Sequence, residues 1–185
     1  MKNLVFLLEE PSAREMLLGV LPRLVPGDIQ FRFIVFQGKQ DLERNLESKL
    51  RGWLMPDSLF IVIRDQDSGN CLDIKTNLKS ICTRSGKENV LIRIACRELE
   101  SFYLGDLAAI EKGLGIKGLK RHQQGKKFRA PDALGNPSEE LIKITNNKYY
   151  KISGSRLIAP HLSLTSNKST SFNVLLSGLK KLTAV

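Results

Sequence analysis

Histidine and cysteine are scarce in this chain, which limits the metal and nucleophile chemistry open to it. Only two of 185 residues are histidine and three are cysteine. Cys71, Cys82 and Cys96 lack the paired spacing of a zinc site, so three reduced and mostly buried thiols are expected. The GxSxG and Walker P-loop sequences are also absent, and neither a nucleophile elbow nor a P-loop is therefore expected.

Long apolar runs are lacking as well. The first apolar run, residues 4–8, is too short for the hydrophobic region of a signal peptide, and no stretch approaches the length of a membrane span. The sequence therefore predicts a cytoplasmic protein with no membrane partner. With 42% apolar and 26% charged residues, the composition favours a folded domain over a disordered chain.

Acidic residues become scarce in the second half. Residues 1–111 carry 15 Lys or Arg against 16 Asp or Glu, whereas residues 112–185 carry 14 against three, a net charge of +11. Such a charge asymmetry is typical of proteins that bind a polyanionic partner. Binding of nucleic acid is favoured over the alternative, in which the basic surface is only solvated. The candidate phosphate-contacting residues are Lys117, Lys120, Arg121, Lys126, Lys127 and Arg129. Of these, Lys126 or Lys127 is expected to lie nearest the reacting phosphate.

Four short apolar runs predict buried strands, at residues 4–8, 31–36, 59–63 and 90–95. Amphipathic helices are predicted after each of them, at residues 12–24, 41–53, 71–83 and 97–112. This alternation predicts an α/β fold with a mostly parallel four-stranded sheet and helices on both faces.

The part beyond residue 112 has a different composition, which is rich in glycine and basic residues. Residues 1–112 are predicted to form a metal-binding core, with residues 113–185 as a basic extension packed on it in a single unit. Within the extension, helices are predicted at residues 139–144 and 172–182 and a polar loop at 163–171. Residues 149–153 are expected to be a short edge strand or a loop.

Acidic side chains follow three of the four predicted strands. In parallel sheets, functional groups gather at the carboxyl ends of the strands. The acids at these ends are Glu9 and Glu10 after the first strand, Asp65 and Asp67 after the third, and Glu98 and Glu100 after the fourth. They are expected to meet at one edge of the sheet.

Asp65 and Asp67 are the strongest metal candidates. Strand alternation predicts that both carboxylates point to the same side, and Mg²⁺ typically takes one or two carboxylates together with substrate phosphate. A Ca²⁺ loop is excluded, because no Glu follows six residues after Gly69. The alternative is a polar turn in which Asp67 or Ser68 caps the next helix.

The other two acidic pairs leave more than one interpretation open. Glu9 or Glu10 could interact favourably with the dipole of the following helix, or act as a general base or metal ligand. Glu98 and Glu100 lie about 200° apart around a helix, so only one would face the site if the helix has already begun, and both could if the strand continues.

A strand ending in Glu followed by a strand ending in DxD resembles the Toprim domain of topoisomerases, primases and OLD nucleases. The likeness extends to a compact Toprim-like nuclease family encoded beside ABC-type ATPases in anti-phage defence operons, with AriB of the PARIS systems as its best known branch. The segments that carry it are VFLLEEPSAREML, FIVIRDQDSGNC, IRIACRELESFYLGDLAAIEKGLG, NPSEEL and NKSTSFNVLLSGLKKL. Many relatives have Glu-Gly where this chain has Glu9-Glu10, but the following Pro11-Ser12 favours Glu9 as the equivalent residue.

The resemblance implies a three-layer α/β/α sandwich and a Mg²⁺-dependent nuclease, with Mn²⁺ as a possible substitute, that cuts tRNA or DNA and works with an ABC-type ATPase. It implies catalytic roles for Glu9, Asp65, Asp67 and Glu98, and metal ligation by Glu9, Glu10, Asp65, Asp67 and Glu100. Two alternatives remain. One is a degenerate Toprim fold that binds its ATPase or nucleic acid without cutting, and the other is a Toprim-like phosphotransfer or nucleotide-processing enzyme with a small substrate.

Overall fold

The computed structural model describes residues 2–25 and 27–183, and a four-stranded sheet lies at its centre. The strands are β1 (Asn3–Leu8), β2 (Gln30–Val35), β3 (Ser58–Asp65) and β4 (Val90–Ala95). They lie in the order β2-β1-β3-β4, and every neighbouring pair is parallel. The predicted α/β class and four-stranded parallel sheet are confirmed.

Eight α-helices surround the sheet in the described part of the chain. They are α1 (Pro11–Val20), α2 (Lys39–Arg51), α3 (Cys71–Arg84), α4 (Glu100–Leu104), α5 (Leu107–Leu114), α6 (Pro137–Ile144), α7 (Lys151–Ile158) and α8 (Thr170–Thr183). Short 3₁₀ turns occur at Leu21–Arg23, Lys120–His122, Pro131–Ala133 and Ala159–His161.

Alternation along the strands divides the core between two faces of the sheet. Leu4, Phe6 and Leu8 of β1 pack with apolar residues of α1, α4, α5, α7 and α8. Val5 and Leu7 point the other way and pack with α2 and α3. Because helices cover both faces, the predicted three-layer α/β/α arrangement is confirmed.

The single helix predicted at residues 97–112 is wrong, because the segment forms two helices. Helix α4 ends at Leu104, and Asp106 is the N-cap residue of α5. Its Oδ1 accepts a hydrogen bond from the backbone N–H of Ala109 at 3.1 Å. An aspartate that caps a helix in this way favours a new start over a continuous helix.

The edge strand or loop predicted at residues 149–153 is also wrong, since helix α7 begins at Lys151. Gly154, in the middle of α7, weakens the helical pattern in the sequence because glycine has a low helix propensity. A Cβ there would lie 2.4 Å from Cδ2 of Tyr149, so only glycine lets the buried Tyr149 ring pack against this helix. The helices predicted at residues 139–144 and 172–182 are confirmed as α6 and α8.

The second half of the chain packs directly on the first. Helix α7 lies along α1, and Arg156 Nε donates to Glu15 Oε2 at 2.7 Å across that contact. Helix α8 packs on β4, where Arg93 Nε donates to the carbonyl of Val174 at 3.2 Å. Residues from both halves therefore share one hydrophobic core.

Within residues 2–25 and 27–183, no helix has the length and apolar character needed to cross a membrane. All three cysteines are free thiols, of which Cys82 is buried while Cys71 and Cys96 are partly exposed.

Candidate active site

Four carboxylates converge at the carboxyl edge of the sheet, and we call them the acidic cluster: Glu9, Glu10, Asp65 and Glu100. Glu9 and Glu10 follow β1, Asp65 ends β3, and Glu100 begins the helix that follows β4. The backbone N–H of Glu9 still donates to the carbonyl of Ile63 at 3.3 Å, so the ladder continues to the cluster. Sheet topology thus brings together side chains that are up to 91 residues apart in sequence.

Asp65 lies at the centre of the acidic cluster. Its backbone N–H donates to Glu9 Oε2 at 3.0 Å, and its own side chain is buried. Burial raises the pKa of Asp65 well above its usual value, and the neighbouring charges of Glu10, Glu100 and Glu9 raise it further. Close carboxylates in a desolvated position favour either a shared proton or a bound cation.

Glu100 is the most deeply buried member of the cluster, with no exposed surface. Its Oε1 accepts a hydrogen bond from the Tyr149 hydroxyl at 2.9 Å. Its Oε2 is buried and has no hydrogen-bond partner among the residues that the structure describes. Burial raises the pKa of Glu100, while the charge of Lys151 opposes that shift. The orphaned oxygen is an unused acceptor within a cluster of negative groups.

Lys151 places a positive charge beside the acidic cluster. The sequence analysis did not identify this residue. Its Nζ lies 3.2 Å from Glu10 Oε2. Although burial alone would lower the pKa of Lys151, the charges of Glu100 and Glu10 raise it. The other oxygen of Glu10 accepts a hydrogen bond from the Ser12 hydroxyl. The ammonium group therefore stays protonated next to the acidic cluster.

Glu9 has a pKa above its usual value. Burial is the main cause, and the charge of Asp67 adds to it, whereas the hydrogen bond from the Asp65 backbone and the charge of Arg64 oppose it. A carboxylate with a raised pKa and a fixed orientation accepts a proton more readily than an ordinary exposed carboxylate.

Asp67 does not follow the strand alternation expected from the sequence. Strand β3 ends at Asp65, and Asp67 has a φ of 53°, in the left-handed region. Its Oδ2 forms an ion pair with Lys39 Nζ at 2.8 Å, at the start of α2. Asp67 therefore lies at the rim of the site, close enough to influence Glu9 but outside the buried cluster.

Glu98 and Glu100 point to different neighbours because β4 ends at Ala95 and α4 begins at Glu100. Glu98 Oε2 accepts a hydrogen bond from the backbone N–H of Ser138, in the first turn of α6, at 2.7 Å. The interpretation in which only one of the pair faces the cluster is thus the one that the structure adopts, and that residue is Glu100.

The helix cap predicted at Asp67 or Ser68 is wrong, because Asn70 occupies that position. Asn70 Oδ1 accepts hydrogen bonds from the backbone N–H groups of Leu72 at 2.8 Å and Asp73 at 3.4 Å. Asp67 and Ser68 instead line a cavity of about 340 Å³, which we call the acidic groove. Its other walls are Arg97, Glu98, Gly135 and Asn136.

All six predicted phosphate-contacting residues are exposed. Lys127 lines a second cavity, of about 430 Å³, which shares Gly135 and Asn136 with the acidic groove and also includes Lys143. Lys126 and Lys127 line a third, of about 360 Å³. Each of these cavities shares lining residues with the next, so they are neighbours, and we call the series that starts at the acidic groove the depression.

In the described part of the chain, neither Lys126 nor Lys127 forms an ion pair with the acidic cluster. Lys127 pairs with Glu140 at 2.6 Å, and it is Lys151 that contacts the acidic cluster. Lys120 and Arg121 line a different cavity altogether.

The acidic cluster offers carboxylate oxygens, which are the donor type that Mg²⁺ prefers. The orphaned Oε2 of Glu100 and the mutual repulsion around Asp65 are both features that a cation would relieve. Across residues 2–25 and 27–183, no group of three or more His, Cys, Asp or Glu side chains is placed so as to hold a metal ion.

Comparison with known proteins gives one match. A family model described as "Domain of unknown function (DUF4276)" matches residues 8–180, which include every residue of the acidic cluster and Lys151. No curated protein and no solved structure matches the chain.

Proposed function

Because the chain belongs to the DUF4276 family, whose description assigns no activity, we propose a function from the site itself: Mg²⁺-dependent hydrolysis of phosphodiester bonds in nucleic acid. The observation that carries this proposal is the acidic cluster, with the unpartnered Glu100 Oε2 inside it and the Lys151 ammonium beside it. Carboxylates and a lysine at the carboxyl edge of a parallel sheet are suited to phosphoryl chemistry.

One or two carboxylates of the acidic cluster would hold Mg²⁺, with Asp65 and Glu100 as the candidates because Asp65 lies at its centre and Glu100 Oε2 has no partner among the described residues. Mg²⁺ commonly uses one or two protein carboxylates and completes its shell with water and substrate phosphate, so a preformed group of three ligands is not required. Bound there, the ion would offset the negative charge that develops on the scissile phosphate.

The protein's own groups would handle the proton and the remaining charge. Glu9, with its raised pKa, would accept the proton of the attacking water. Lys151 stays protonated and would stabilise negative charge on the phosphate oxygens. Asp67, paired with Lys39 at the rim, would help to orient the incoming strand or a second ion.

The depression that starts at the acidic groove supports a polymeric substrate. It runs past Gly135 and Asn136 to Lys127, Lys143 and Lys126, and Glu139 and Glu140 line the same stretch. Because Lys127 is paired with Glu140, Lys126 and Lys143 are the exposed ammonium groups that phosphates on one side of the scissile bond would meet. Contacts of this kind are largely independent of sequence and sensitive to salt. The +11 net charge of residues 112–185 favours the same class of partner.

A nuclease assay tests the proposal. Wild-type protein, Asp65→Asn, Lys151→Gln and the control Glu88→Gln are incubated with labelled tRNA, single-stranded DNA and plasmid, with Mg²⁺, Mn²⁺ or EDTA. Glu88 is exposed and lies outside the site. We expect metal-dependent cleavage by wild type and Glu88→Gln, and a loss of at least about 100-fold for Asp65→Asn and Lys151→Gln, in line with the removal of one charge-stabilising group.

The resemblance to defence nucleases adds a proposed partner and setting: an ABC-type ATPase encoded beside the gene, in the cytoplasm. The assay is therefore repeated with that ATPase co-expressed. If every substrate stays intact with and without the ATPase, the nuclease proposal is refuted.

The two lysines favour a second candidate, a nucleic-acid or ATPase-binding protein that does not cut. Lys39 pairs with Asp67 and Lys151 with Glu10, so ammonium groups already balance part of the acidic charge. In that case nucleic acid would bind without cleavage, and Mg²⁺ would leave the melting temperature unchanged.

A further inference from the structure

A cavity of about 760 Å³ lies between the α4–α5 turn, the 3₁₀ turn Lys120–His122 and the loop at residues 163–169. It shares no lining residue with the acidic groove or with the depression that leads from it. We call it the α5 cavity. Its size falls in the range of small-molecule sites.

Three cations line the α5 cavity without a carboxylate partner. Lys120, Arg121 and Lys168 are exposed, and none of them forms an ion pair with an Asp or Glu in the described part of the chain. Unpaired positive charges around a concave surface attract anions, and lysine and arginine are the usual phosphate-binding residues.

The two acids of the cavity are engaged by the backbone. Glu111 Oε1 accepts hydrogen bonds from the N–H groups of Leu119 at 2.5 Å and Lys120 at 2.8 Å, and these bonds lower the pKa of Glu111. Asp106 Oδ2 accepts from the N–H of Ser163 at 2.7 Å. Both carboxylates thus hold the walls of the cavity in place. The charge of Lys120 also helps to lower the pKa of Glu111, but none of the three cations is held in an ion pair in the described part of the chain.

The floor of the cavity is fixed by Gln123. Its Oε1 accepts from the N–H of Leu107 at 2.6 Å, and its Nε2 donates to the carbonyls of Leu104 at 3.1 Å and Phe128 at 2.8 Å. A preformed site loses little entropy when it binds a ligand.

The far wall is held just as closely. A Cβ on Gly105 would lie 2.0 Å from Oδ1 of Asn167, so only glycine allows the loop to approach the α4–α5 turn. Asn167 Nδ2 also donates to the carbonyl of Phe102 at 2.9 Å. The loop that carries Lys168 is therefore fixed against the α4–α5 turn, and Lys168 lines the same cavity as Lys120 and Arg121.

We propose that the α5 cavity binds a free nucleoside di- or triphosphate. Lys120, Arg121 and Lys168 match the multiple negative charges of two or three phosphates, and Gln124 and Ser166 offer hydrogen-bonding groups for the sugar or base. This inference assigns Lys120 and Arg121 to a small ligand instead of the nucleic-acid strand. It does not depend on the proposed nuclease activity.

Calorimetry with the full chain tests it, using ATP, ADP, adenosine and a 5′-triphosphorylated RNA oligonucleotide as probes. We expect ATP and ADP to bind with a Kd below about 1 mM, and adenosine not to bind, because the phosphates carry the recognition. The variant Lys120→Gln/Arg121→Gln/Lys168→Gln should weaken ATP binding about tenfold or more. Since all three side chains are exposed, its melting temperature should stay unchanged.

The matched control is Lys49→Gln/Lys79→Gln/Lys148→Gln, which removes the same charge from exposed residues outside the α5 cavity and outside the depression. It should keep ATP affinity within about twofold of wild type. The proposal is overturned if ATP does not bind, if the two triple variants lose affinity equally, or if only the RNA oligonucleotide binds. Nuclease activity plays no part in this readout, so failure here and failure of the proposed function are separate results.

Discussion

Replacing Tyr149 with phenylalanine removes a single hydroxyl from the base of the acidic cluster. That hydroxyl is the hydrogen-bond donor to Glu100 Oε1, at 2.9 Å, and Tyr149 is 3% exposed. Because Glu100 Oε2 already has no partner among the described residues, the variant leaves both oxygens of a buried carboxyl group without a donor.

The size of the effect follows from that geometry. Loss of a hydrogen bond to a buried charged group costs about 1.5–3 kcal/mol of unfolding free energy. For a chain of this length, each kcal/mol shifts the melting temperature by about 2–4 °C, so Tyr149→Phe should melt about 3–12 °C below wild type.

Tyr150→Phe is the matched control, since the same hydroxyl is removed from the neighbouring residue, which is 69% exposed. It should change the unfolding free energy by less than about 0.5 kcal/mol. Urea unfolding followed by circular dichroism measures both variants. If Tyr149→Phe and Tyr150→Phe unfold within about 0.5 kcal/mol of each other, Glu100 does not depend on this hydroxyl and the description of the cluster is wrong.

Four further predictions concern the acidic cluster, the cap of α3 and the depression. Since folding raises the pKa values of Glu9, Asp65 and Glu100, the native state binds their protons more tightly than the unfolded chain. Their contribution to stability is present below about pH 4 and is lost as the pH rises through their raised native-state pKa values. In that pH range, the unfolding free energy of wild type should therefore fall more steeply than that of Asp65→Asn. Added Mg²⁺ should recover stability at pH 8 but not at pH 5, and an equal Mg²⁺ effect on Asp65→Asn in denaturant melts would contradict the metal site. Asn70→Ala removes the cap of α3 and should cost about 0.5–2 kcal/mol in urea unfolding, whereas loss of under about 0.3 kcal/mol would show that the cap is not needed. The double variant Lys127→Gln/Lys143→Gln should reduce the magnitude of the slope of log affinity for single-stranded DNA against log salt concentration by about 1–2. An unchanged slope would show that nucleic acid does not bind along the depression.

The strands and the acidic edge could be predicted from the sequence because both are local signals. Strands buried on both faces must be continuously apolar, and in a parallel sheet their carboxyl ends meet at one edge whatever the loops do. Glu9, Glu10, Asp65 and Glu100 were therefore identifiable as residues that would come together.

Lys151 and the position of Asp67 could not be predicted in the same way. The contact between Lys151 and Glu10 joins residues 141 positions apart and depends on how α7 packs along α1, which no local pattern encodes. Gly154 also weakened the helical pattern that would have identified α7. Asp67 lies two residues past the end of β3 in a left-handed conformation, where the two-residue period of a strand no longer applies.

The packing of α7 against α1 has a consequence for synthesis on the ribosome. The four carboxylates all emerge within the first 100 residues, whereas Tyr149 and Lys151 emerge only when about four-fifths of the chain has been made. Until then Glu100 lacks its hydroxyl donor and Glu10 lacks its ammonium partner. The order of translation thus delays completion of the acidic cluster and its partners until the last third of the chain has folded onto the first.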